Sequence, residues 1–67
     1  MREVLERLKG RKVRITCVFG NDSPTIFYNG RIVRVFDNSV LIVDKFGKEV
    51  ILSFDSIKEL KELEEDK

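Results

Sequence analysis

The sequence predicts a mainly β protein, a short N-terminal helix followed by a five-stranded, strongly bent antiparallel small barrel. Three observations carry this prediction. Apolar residues are spaced as on a helix before Gly10 and alternate after Lys12. Residues 25–36 then form one strand-like run about twice the usual strand length, with Gly30 near its middle. Finally, the turn-forming pairs Asp37-Asn38 and Gly47-Lys48 divide the apolar stretches that follow into strand-sized pieces.

The elements follow in order. Val4, Leu5 and Leu8 make one apolar stripe among Glu3, Glu6, Arg7 and Lys9, and Gly10 can stop the helix in the left-handed conformation. So short a helix is not stable alone in water, so the stripe must dock, and the end of the barrel is the expected place. In the first strand Val13, Ile15, Cys17 and Phe19 are expected to face the core, with Arg14, Thr16 and Val18 facing away. Gly20-Asn21-Asp22-Ser23-Pro24 is dense turn chemistry, in which Gly and Asn accept positive φ.

Strand two is expected from Thr25 to Phe36, bent or bulged at Gly30. Phe27 and Tyr28 are adjacent and face opposite ways, so one of them is expected to be exposed. Val40-Leu41-Ile42-Val43 is apolar on both faces, and Val50, Leu52 and Phe54 alternate with Ile51 and Ser53. Ile57, Leu60 and Leu63 recur every three residues, which suits a helix, but the barrel needs a fifth strand, and residues 58–62 are assigned to it. The whole chain reads as one domain, with the helix in 1–10, the barrel in 11–63 and a solvated tail in 64–67.

Composition narrows the function. A chain of 67 residues buries only about 60% of its unfolded surface and gains from self-association. Cys17 is the only cysteine and there is no histidine, so neither an internal disulfide nor a zinc cluster is expected, and no metal or cofactor is implied. Cys17 lies on the apolar face of its strand, as a structural thiol does. No serine has a plausible base and there is no Gly-rich phosphate loop, so the chain reads as a non-enzyme. For Asp37 and Asp55, turn capping is a commoner role than a catalytic carboxylate pair.

No apolar run approaches the ~20 residues of a membrane span, and Arg2, Glu3, Glu6 and Arg7 interrupt any signal-peptide core, so the expectation is a cytoplasmic protein without a membrane partner. Abundant Lys and Glu, with no Gln, suggest a thermophilic source. Charge is uneven. Residues 1–34 hold eight basic and three acidic residues, whereas 35–67 hold five basic and nine acidic. A basic first half can face phosphate.

The segment from Gly30 onward resembles the Sm-like proteins (the LSm and Hfq-type small β-barrels). Their pattern reads roughly G-x-I-x-x-F-D-N-x-x-V-L-L, then G-K and a strand ending in isoleucine. Gly30, Ile32, Phe36, Asp37, Asn38, Val40, Leu41, Ile42, Gly47, Lys48 and Ile57 fit it, with one extra residue before Phe36. Where the Hfq-type proteins carry Tyr-Lys-His at the uridine pocket, this chain has Ser53, Phe54 and Asp55, and the Asp should repel phosphate.

The resemblance implies a homo-oligomer, in the family a ring closed by pairing of edge strands, that binds single-stranded RNA with low sequence specificity. Arg31, Arg34, Lys45 and Lys48 are the expected backbone contacts, and Phe36 and Asn38 the expected base contacts. Lys9, Arg11, Lys12 and Arg14 form a second cationic group at the helix exit. The alternative, favoured by Ser53-Phe54-Asp55 and the near-neutral net charge of +1, is a non-enzymatic protein–protein interaction module that does not bind RNA.

Overall fold

A computed structural model describes residues 1–63, so the tail expected at 64–67 lies outside the described residues. Helix α1 (Arg2–Arg7) is followed by β1 (Lys12–Cys17), β2 (Ile26–Val35), β3 (Ser39–Val43), β4 (Glu49–Ser53), a single 3₁₀ turn at Phe54–Ser56, and β5 (Ile57–Glu62). The strands form one antiparallel sheet in the order β4-β3-β2-β1-β5. β4 and β5 are therefore its two outer strands.

The sheet wraps around its own core. Val13, Ile15 and Cys17 from β1, Ile32 from β2, Val40 and Ile42 from β3, Leu52 from β4 and Ile57 from β5 are all buried in one cluster with Leu5 of α1. A flat five-stranded sheet could not shield these residues with a helix of six residues, so the sheet must bend. Cys17 is buried as expected. Loss of solvent pushes its thiol pKa above the usual range, and a hydrogen bond with the Ser56 side chain offsets only part of this.

Two irregularities in β2 make the bend. At Gly30 a Cβ would stand 2.7 Å from the Val43 carbonyl oxygen, so only glycine lets the two strands approach this closely. Three residues later the ladder slips. Ile32 pairs with Ile42 and Arg34 with Leu41, leaving Val33 as a β-bulge.

A second slip explains the ambiguous last element. Cys17 pairs with Ile57 and Thr16 with Glu59, so Lys58 is the extra residue in β5. Ile57 and Leu60 then lie opposite Cys17 and Ile15 on the core face, three apart on β5 but two apart on β1. The helix-like spacing thus belongs to a bulged strand.

The helix docks with one stripe residue fewer than expected. Leu5 is fully buried and Leu8 packs against the core, but Val4 is 44% exposed because its position faces away from the sheet. The chain leaves the helix directly into a pairing with β2. The Gly10 N–H donates to the Ile32 carbonyl (2.8 Å) and the Ile32 N–H to the Arg11 carbonyl (3.1 Å).

Other expectations are corrected at strand ends. Phe19 does not join the core. β1 stops at Cys17, the Val18 N–H bonds the Ser56 carbonyl, and Phe19 lies 50% exposed, edge-on to Tyr28 at 6.5 Å. In the 20–24 turn the positive-φ non-glycine residue is Asp22 (φ 63°) rather than Asn21. Of the aromatic neighbours, Phe27 is the exposed one and Tyr28 packs against the core.

Candidate nucleic-acid interface

β2 pairs with β3 from Arg31–Val43 to Val35–Val40, so the turn at residues 36–38 and the turn at 44–48 lie at opposite ends of this ladder. The six residues expected to contact RNA are divided between these ends. Arg31, Lys45 and Lys48 belong to the 44–48 end, and Arg34, Phe36 and Asn38 to the 36–38 end.

The 44–48 end is built around Asp44. Its Oδ1 accepts the backbone N–H groups of Phe46 and Lys48, both at 2.9 Å, while the Gly47 N–H donates to the Asp44 carbonyl at 3.0 Å. Gly47 closes the turn at φ 81°. The turn holds Phe46 83% exposed, with the Lys45 ammonium 5.2 Å from its ring centre.

Beside this turn lies a concavity of about 530 Å³. Lys12, Arg14, Asn29, Arg31, Lys45 and Phe46 line it, and among the described residues Asp44 is the one carboxylate that does. Alternation along β1 sends Lys12 and Arg14 to one face. The Arg14 Nε donates to the Asn29 Oδ1 (3.0 Å), and the Arg31 guanidinium donates to the Gly10 carbonyl (2.9 Å). Lys12, Arg14 and Lys45 form no ion pair with any described residue. Lys48 is exposed on the turn but does not line the concavity.

The 36–38 end is different. Arg34 stacks its guanidinium over Phe36, 5.6 Å from the ring centre, and Phe36 is 36% exposed. Asp37 is held by Arg2 at 2.6 Å. The Asn38 carbonyl accepts the Phe54 N–H (2.9 Å), which draws the Phe54–Ser56 turn and its exposed Asp55 alongside. Asp37 and Asp55 are not turn caps. Ser53 Oγ caps the 3₁₀ turn, and Asp44 is the side chain that caps a hairpin.

The sequence reading placed Lys12 and Arg14 in a cationic group but did not join them to Arg31 and Lys45, and it missed Asn29 and Phe46. A signal for Phe46 was present, since an aromatic between Asp44 and Gly47 in a tight turn has no core to enter.

No protein-family model and no curated protein matches this chain.

Proposed function

We propose that this chain is an Sm-like subunit that binds single-stranded RNA with low sequence specificity, as a homo-oligomer joined through β4 and β5. One observation carries the reading. Lys12, Arg14, Arg31 and Lys45 surround one concavity whose rim presents an exposed Phe46. Cations track a sugar–phosphate backbone, and an exposed ring stacks any base, so the combination binds without reading sequence.

Support for an oligomer comes from the sheet. Its outer strands, β4 and β5, each have one edge with no pairing strand among the described residues, and Ile51 on β4 is 64% exposed. A ring would satisfy both edges with identical contacts. Cytoplasmic residence accords with a thiol at Cys17 that has no disulfide partner.

A fluorescence-anisotropy titration with short U-rich and A-rich RNA at two salt concentrations tests the reading. Similar affinities for both RNAs, falling steeply with salt, are expected. Absence of binding below about 100 μM at low salt would overturn it, since ordinary non-specific nucleic-acid binding is at least that tight. Light scattering at the 7.8 kDa monomer mass would remove the oligomer.

A specific observation favours a second reading, a protein–protein interaction module. Phe19, Ile26 and Phe27 are each exposed near the loop end of the β1–β2 hairpin, the end away from Lys12 and Arg31. Failure of RNA binding would leave this reading in place.

A further inference from the structure

We infer that the concavity is a site for a terminal nucleotide, holding the phosphomonoester at an RNA end among its cations with the end base on Phe46. The inference rests on the RNA-binding reading and deepens it.

The sheet register is the starting point. Lys12 lies directly opposite Arg31 across β1–β2, and Arg14 directly opposite Lys61 across β1–β5. Like charges in directly opposed positions destabilise a sheet. Here two such pairs share the outward face, because Lys12 and Arg14 are two residues apart on β1. Lys45 is brought to the same place from the β3–β4 turn. The cations reach one concavity from two strands and a turn.

That arrangement suits concentrated negative charge. An internal phosphodiester carries one charge per nucleotide, whereas a terminal phosphomonoester carries about −1.5 to −2 near neutral pH and three strong acceptor oxygens. Arg14 is aimed by its bond to Asn29 and can offer its remaining N–H groups to such oxygens. Asp44, the one lining carboxylate among the described residues, already accepts two backbone N–H groups at Oδ1. The volume of about 530 Å³ falls in the range of small-ligand pockets. Phe46, fixed by the Asp44 turn, stands on the rim with Lys45 over its ring, where a base attached to the held phosphate can stack.

The test uses the full chain and one short labelled RNA in three forms, with both ends hydroxyl, with a 5′-phosphate, and with a 3′-phosphate, compared by anisotropy at fixed ionic strength. One phosphorylated form should bind about tenfold tighter than the hydroxyl form, the equivalent of one charge-assisted hydrogen bond. The arm that gains identifies which end is held. Arg14→Ala and Phe46→Ala should each weaken the hydroxyl form and, in addition, erase the gain, so that the three forms bind each variant equally. Both side chains are exposed, so the variants should fold, which circular dichroism checks. Equal binding of all three forms overturns the terminal site and leaves the RNA-binding reading standing. Binding of none overturns both.

Discussion

The two ends of the β2–β3 ladder hold the same kinds of residue, yet only one of them accumulates positive charge. At the 44–48 end Arg31 joins Lys12, Arg14 and Lys45 around a concavity whose one carboxylate among the described residues, Asp44, is committed to its own turn. At the 36–38 end Arg34 lies over Phe36, Asp37 holds Arg2, and Asp55 stands on the adjoining turn. An arginine beside an aromatic thus sits in different electrostatic surroundings from cations gathered around a concavity. What decides is whether neighbours on other strands add charge or cancel it.

The largest expected effect comes from Gly30, on which both ends depend. Gly30→Ala places a methyl group 2.7 Å from the Val43 carbonyl oxygen. Backbone atoms cannot swing aside, so the β2–β3 crossing must open at a cost of about 1–3 kcal/mol. Chemical denaturation should show this loss, and Gly30→Val should lose more. A midpoint unchanged by either substitution would mean that the bend does not hold the ends in place.

The comparison itself is tested by paired substitutions. Arg31→Ala with Lys45→Ala should weaken RNA binding about tenfold and reduce the salt slope by about 1.4, at about 0.7 per phosphate contact. Arg34→Ala with Asn38→Ala should change affinity less than about twofold, because that end already neutralises its charge. The reverse ranking, measured by anisotropy, would move the bound strand to the 36–38 end.

Much of the fold was legible because the core obeys period two. Val13, Ile15 and Cys17 face inward as their alternation requires, and Gly30 marks the bend. The ambiguous element was Ile57 to Leu63, where the bulge at Lys58 converts a period of two into an apparent period of three. A bulge is specified by the partner strand, which a linear reading does not see. The candidate site was less legible for the same reason. Lys12 and Arg31 are far apart in the chain and become neighbours only through the β1–β2 register. Arg34, Phe36 and Asn38 are close in sequence, so their grouping at the 36–38 end was visible without the register.

Asp44 allows a finer separation of charge from shape. Asp44→Ala removes the acceptor of two backbone N–H groups and should cost about 1 kcal/mol. Asp44→Asn keeps an acceptor and removes the charge, so it should cost less than half as much. It should also tighten RNA binding by about twofold to threefold, since one lining charge on a partly solvated surface is worth a fraction of a kcal/mol. Denaturation and anisotropy on the same two proteins check both statements. If Asp44→Asn weakened RNA binding, the carboxylate would be a contact and not merely a turn cap.

The smallest expected effect is at Arg2. Its bond to Asp37 is short at 2.6 Å, but the side chains are 53% and 82% exposed. Water screens such a pair, and holding two mobile side chains costs entropy, so its net worth is about 0–1 kcal/mol. Docking of α1 does not need it, because burial of Leu5 supplies about 1.5–3 kcal/mol. A double-mutant cycle of Arg2→Ala and Asp37→Ala should therefore give a coupling below about 0.5 kcal/mol that vanishes near 1 M salt, where the screening length is about 3 Å. Arg2→Ala should also leave RNA affinity unchanged, because it uncovers a carboxylate at the end away from the concavity proposed to bind RNA. A coupling above about 1 kcal/mol would make the pair a clamp on the helix, and a loss of RNA affinity would bring the strand past Asp37.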